Sequence, residues 1–150
     1  MIDLTAADVI ATLRMQRHPE GGWYVQSFKD TETVDGRAQS TAIYYLLPEG
    51  EVSHWHRVDA VEVWHWYAGA ALKLSISDGK SLHVHVLGND LIRGQRPQVM
   101  VPRRFWQAGA STGAWTLVGC TVAPGFRFAG FELAAADWAP GANQDANSVD

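Results

Sequence analysis

The chain has 150 residues, 47% hydrophobic and 19% charged, the size and balance of one globular domain with its own core. Its net charge of −4, pI near 5.8 and lack of a clustered basic stripe argue against nucleic acid or an anionic membrane as partner, leaving small molecules or protein. No apolar run approaches the roughly 20 residues of a membrane span, the acidic N-terminal stretch is unlike a signal peptide, and a single cysteine excludes an internal disulfide; the expected setting is the cytoplasm.

Thr5 and Asp8 form a capping-box pattern, and Ala6, Val9, Ile10 and Leu13 recur at helical spacing, so one short N-terminal helix is predicted. It stops before His18-Pro19, since proline disfavours helical geometry in the residue before it, and Gly21-Gly22 turn the chain. Beyond that, β-branched and aromatic stretches alternate with turn formers, predicting strands over 23–28, 40–47, 53–57, 61–67, 72–77, 81–87, 98–101, 115–122 and 128–133. Residues 72–77 alternate strictly, and Asp78-Gly79 supplies a pair suited to a type I′ hairpin turn. Many short strands and almost no helix imply an all-β antiparallel sandwich or barrel. The domain is expected over residues 1–138, followed by an apolar-poor, flexible tail over 139–150.

The chemistry concentrates in SHWHRVDAVEVWHW, residues 53–66. Strand alternation predicts that His54 and His56 share one face, and a hairpin would let Glu62 look into the same interior. Two imidazoles and a carboxylate are a donor set for Zn, Mn, Fe or Ni, and equally the polar lining of a metal-free pocket. His83 and His85 have the same spacing, but the apolar series Leu82, Val84, Val86 places them on the solvent side. His18, beside Pro19, is read as shaping a turn, Cys120 as a buried inert thiol, and the tryptophans, Trp64 among them, as core with a share available to stack on a planar ligand.

The segment Gly50 to His56, then Glu62, then Gly69, resembles the first motif of the cupins. The blocks HPEGGWY, STAIYYLL, SHWHR, EVWHWYAG, VPRRFWQA and LVGCTVAPGFRFAGFEL, in that order over about residues 18–133, resemble the fifth cupin family, small single-domain cupins of unknown function. The resemblance implies a double-stranded β-helix, the cupin jelly-roll barrel, with one short N-terminal helix. The general motif is altered: the spacings around the histidines differ, Gln107 stands where the last histidine ligand would be, and Arg127 stands where the small family more often has aspartate.

On this resemblance Ser53, His56, Glu62 and Gln107 belong to the family pattern, and a pocket for a small polar or sugar-like molecule is expected, with isomerase or epimerase chemistry. His56 would be the base, Glu62 its orienting partner, and Tyr45, Tyr67 or Tyr24 the acid. Ser53, His54, Trp64, Gln107 and Tyr24 would bind ligand. If a divalent metal were bound, His54, His56, Glu62 and Gln107 would hold it. A non-catalytic binding module is the third reading, and cupins as a class imply a homodimer.

Overall fold

The computed structural model describes residues 3–141. Its elements are helix α1 (Ala6–Leu13) and strands β1 (Gln16–Arg17), β2 (Trp23–Lys29), β3 (Thr33–Val34), β4 (Arg37–Ala38), β5 (Thr41–Pro48), β6 (Val52–Val58), β7 (Val61–Gly69), β8 (Leu72–Ser77), β9 (Leu82–Leu87), β10 (Gln98–Val101), β11 (Trp106–Ser111), β12 (Trp115–Ala123) and β13 (Phe131–Leu133). One antiparallel sheet runs β1-β2-β5-β12-β7-β10 and a second β13-β6-β11-β8-β9. From β5 onward successive strands alternate between the two sheets, except that β8 and β9 are neighbours in one, so the chain winds a jelly-roll barrel. The expected all-β fold with one short helix is the one observed.

The helix starts as its residues dictate: Asp8 N–H donates to Thr5 Oγ1 at 3.1 Å and Thr5 N–H to Asp8 Oδ2 at 2.9 Å. Its apolar side carries Val9, which packs with Met15 and Leu46 on the outside of the six-stranded sheet. The main core lies between the sheets and is built from Tyr45, Leu47, Trp64, Leu72, Leu74 and their neighbours. A smaller cluster of Val58, Ala60 and Val122, with Phe126 and Phe131 against it, lies toward the other end of the barrel, where a cavity opens.

Two local expectations are corrected and one hairpin is added. Asp78 does not take a positive φ; its carboxylate instead accepts the N–H groups of Lys80 and Ser81 at 2.8 Å each, a side-chain-braced turn. The left-handed pair sits at Asp35-Gly36, φ 54° and 78°, closing the two-residue hairpin between β3 and β4, which the sequence reading left out. In β9 the register sets His83 opposite Ile76 and His85 opposite Leu74, so the histidines share the inner side of the sheet but are exposed at its edge. Leu82, Val84 and Val86 therefore point outward, and they too are exposed.

Residues 134–138 cross the outside of the five-stranded sheet, where Trp138 packs at 4.5 Å from the ring of Trp106 and 5.9 Å from that of Trp55. Gly141 N–H reaches the Gly79 carbonyl, so 139–141 continue this strap; the rest of the expected tail, 142–150, lies outside the described residues. Among the described residues no helix is long and apolar enough to cross a membrane.

Leu46, fully buried, joins helix to sheet. Leu46→Ala is expected to cost about 2–5 kcal/mol in urea unfolding, with amide protection lost first in α1; an unfolding midpoint equal to wild type would contradict this packing.

Candidate active site

The site is built on the turn HPEGG. Gly21 N–H donates to the His18 carbonyl and His18 N–H to that of Gly22, each at 3.0 Å, closing the turn. Gly21, at φ 107°, lies so close to β6 that a Cβ would overlap the Val52 carbonyl oxygen. The Glu20 carbonyl then accepts His54 N–H at 2.8 Å, which moors the turn to β6. His18 and Glu20 are thereby buried with their side chains in the barrel.

Strand β6 is irregular at the same place. Against β11, His56 is opposite Gln107 but Ser53 is opposite Gly109, three steps on one strand for two on the other. This bulge resets the alternation, so Ser53, His56 and Val58 are all buried on the inner side. His54 is displaced: its Nε2 meets the Ala135 carbonyl at 2.9 Å, under the C-terminal strap and outside the cavity. The expectation that His54 and His56 share one face is corrected, and with it the place of His54 in a ligand or metal set.

In the cavity, Glu20 Oε1 lies 3.2 Å from His18 Nδ1 and Oε2 lies 3.2 Å from His56 Nε2. Ser53 Oγ–H donates to the same Oε2. The other nitrogen of His56, Nδ1, is 2.7 Å from the His54 carbonyl and donates to it, so in the neutral ring Nε2 carries the lone pair. His18 Nδ1 accepts Glu20 N–H at 3.1 Å, which engages its lone pair and leaves the ring proton on Nε2. A carboxyl whose Oε2 faces the free lone pair of His56 Nε2 is favoured when it carries a proton of its own to donate there. Burial acts in the same direction, raising Glu20 to about 8 and lowering His18 to about 4. It also lowers His56, against the opposing pull of Glu62.

Glu62 faces the same cavity, and burial raises its carboxyl to about 7. It accepts Gln107 Nε2–H at 2.8 Å, while Gln107 Oε1 accepts the indole N–H of Trp64 at 2.6 Å. Gln107 and Trp64 thus stand behind Glu62 and do not line the cavity. Tyr45 is also set back, its hydroxyl donating to the Gly21 carbonyl, and Tyr67 lies outside, stacked on His65. Of the three tyrosines considered as acids, Tyr24 alone lines the cavity; its oxygen accepts from Gln16 Nε2 at 3.1 Å, which leaves its own proton to donate. Cys120 lines the wall as a buried thiol, and burial holds its proton on. Arg127 lies 3.6 Å from Asp59, in an ion pair that Asp59 also makes with Arg37, and is not part of the cavity lining.

The proposed metal set does not converge. His54 is turned out, the Gln107 amide oxygen is taken by Trp64, and among the described residues no three His, Cys, Asp or Glu side chains are arranged to hold a metal ion. The residues that do meet are His18, Glu20, His56 and Glu62 around about 240 Å³ of space. Glu20 was missed by sequence reasoning, and His18 was read as turn chemistry. The available signal was Gly21-Gly22 directly after them, since paired glycines allow a backbone to press against a wall and carry its neighbours inward.

A jelly-roll barrel with buried carboxyls and imidazoles in one open end defines a cupin. The chain belongs to the family described as Cupin superfamily (DUF985), whose model matches residues 7–134. It is similar to protein SO0799 from Shewanella oneidensis, with 38% identity, TM-score 0.85, and coverage of 89% of this chain and 86% of that one. A hypothetical protein from Leishmania major is 28% identical with TM-score 0.82, covering 88% of each chain. A dTDP sugar isomerase from Desulfovibrio desulfuricans G20 shares the fold at 16% identity and TM-score 0.57, over 78% of this chain and 83% of that one. No curated protein matches the chain significantly.

The buried groups imply a definite pH dependence of stability. Glu20 and Glu62, raised from 4.5, stabilise the fold at low pH and lose that contribution as pH rises through about 8 and about 7. His18, lowered from 6.5 to about 4, acts oppositely, as does His56, so stability is regained as pH rises toward 6.5. The effects oppose one another below that pH and only the carboxyls act above it. Stability should fall by about 2 kcal/mol from roughly pH 6.5 to 8, and Glu20→Gln should remove most of the fall. Urea titrations across that range check it; a flat wild-type profile would be incompatible.

Proposed function

We propose that the protein is an acid–base enzyme that moves a proton on a small carbonyl compound, as an isomerase or epimerase does. The observation that carries this is the Glu20 carboxyl held 3.2 Å from a ring nitrogen of both His18 and His56, on the wall of a cavity. A base with a lone pair and an acid with a proton stand side by side, which is what proton abstraction next to a carbonyl requires. His56 Nε2 takes the proton from the carbon beside the carbonyl, while Glu20 gives its own to the carbonyl oxygen. The neutral pair becomes an imidazolium beside a carboxylate, each stabilising the other. Return of the proton from His56 to the neighbouring carbon, while the Glu20 carboxylate takes the proton of the hydroxyl there, gives the isomer; an epimer needs a second donor on the opposite face, for which Tyr24 is the cavity's hydroxyl. Glu20 thus takes the partner role that the sequence suggested for Glu62, and Glu62, braced by Gln107, sets the potential under which His56 works. Tyr24 stands ready as a second donor to substrate oxygen.

The test is solvent exchange. A panel of keto and aldo sugars incubated with the protein in D₂O should show, by NMR, deuterium entering next to the carbonyl of at least one member. His56→Asn and Glu20→Gln should each slow that exchange about 100-fold or more. Binding without exchange for every member would make this a non-catalytic binding module, and exchange surviving in both variants would remove these residues from the chemistry.

The same reading includes a homodimer. Its support is the outer side of β9, where Leu82, Val84 and Val86 are 54%, 50% and 38% exposed in one row. Light scattering should give twice the 16.5 kDa chain mass, and Val84→Lys should shift it toward one chain; a monomeric wild type rejects the dimer.

A further inference from the structure

The cavity lining has a charge composition that restricts what can enter. Among the described residues that line it none is Lys or Arg, although two carboxyls, those of Glu20 and Glu62, do. Arginines of the surrounding segments are engaged elsewhere, Arg127 with Asp59 at 3.6 Å. Arg37 donates to the Gly125 carbonyl at 2.7 Å and pairs with Asp59 at 2.7 Å, and Arg17 pairs with Glu51. An anion moved into this enclosure would shed its water and find no counter-charge on the lining, a combination that buried sites do not tolerate.

Burial favours a protonated Glu20 carboxyl and neutral imidazoles, and the backbone partners of the two rings fit that state, so the polar end offers donors and acceptors without a strong field. The remaining wall is apolar: Phe126, Phe128 and Phe131 meet edge to face, with centroids 5.0 to 6.1 Å apart, and Ile43, Val58 and Val122 continue it. The space, about 240 Å³, falls below the roughly 300–1,000 Å³ of pockets that hold drug-sized ligands.

We propose that the cavity takes an uncharged carbonyl compound of monosaccharide size or smaller, one side hydroxylated and the other apolar, and rejects phosphorylated and nucleotide-linked relatives. This rests on the reading of the cavity as a small-molecule site and names its ligand class. The carbonyl and hydroxyl groups meet Glu20, His56, Glu62 and Tyr24, and the C–H face of the molecule packs on the phenyl rings. Selection comes from the penalty on a buried, unpaired anion, so it discriminates by charge before shape.

Matched pairs test it: D-fructose with its 6-phosphate, D-xylulose with its 5-phosphate, and dihydroxyacetone with its phosphate, titrated by calorimetry and ligand-observed NMR at millimolar concentration. At least one uncharged member should bind, with its phosphate at least about tenfold weaker. Gln26→Arg, an exposed position on the rim of the lining, should narrow that gap to about threefold or less by supplying the missing cation. A phosphate that binds wild type as tightly as its parent overturns the inference, and so does failure of every uncharged member to bind. The readout is binding, so ligands that bind without exchanging a proton would leave this inference standing and defeat the catalytic reading.

Discussion

The bond from His54 N–H to the Glu20 carbonyl ties together everything that gives this barrel its chemistry. It depends on Gly21, since any side chain there would strike β6 at Val52. It also occurs where β6 bulges, and the bulge turns the His54 side chain out and the His56 side chain in. One irregularity therefore fixes both members of the Glu20–His56 pair, one through the turn it moors and one through the alternation it resets. A buried carboxyl is costly unless its lone pairs and proton are satisfied, and here Ser53 donates to Oε2 while His56 Nε2 stands ready to accept the proton. No buried side-chain nitrogen or oxygen among the described residues lacks a partner.

The core of this arrangement was legible in the sequence and its decisive detail was not. His56 and Glu62 were identified and do face one cavity: the cupin-like motif pointed to both, and simple alternation along β7 sets Glu62 on the same side as the buried Trp64. His54 could not be placed, since a bulge is a property of two strands and its partner β11 is written in alanine, glycine and serine that carry little strand signal. Glu20 was overlooked because glycine and proline punctuate surface turns far more often than they insert one into a barrel. The outward set of Leu82, Val84 and Val86 reversed the usual rule that the apolar side of a strand faces the core, and nothing within β9 itself announces that.

Gln107 shows how a departure from a general motif can be constructive. An imidazole at that position would bring a second titrating group against Glu62. The amide brings none, and its orientation is not free: the indole N–H of Trp64 claims the oxygen, which obliges the NH₂ to face Glu62. Trp64 is itself locked in the main core, perpendicular to Tyr45 at 5.8 Å. Core packing thus fixes an indole, the indole an amide, and the amide one oxygen of a carboxyl in the cavity. The hydrophobic end of the barrel positions the polar end through two hydrogen bonds.

The pair of buried carboxyls also explains why the cavity wall is as apolar as it is. Glu20 stays protonated at neutrality, and Glu62 holds its proton up to about 7, only while water is kept from them, since desolvation is the largest cause of both shifts. Val58, Val122, Phe126 and Phe131 provide that exclusion at the open end. More water there would return both groups toward ordinary carboxylates, and His56 would then be drawn into a standing ion pair with Glu20. Such a pair has already spent the proton difference on which acid–base exchange depends. The aromatic lining therefore serves the chemistry as much as the ligand: it keeps acid and base uncharged until a substrate takes the proton from one and gives its own to the other.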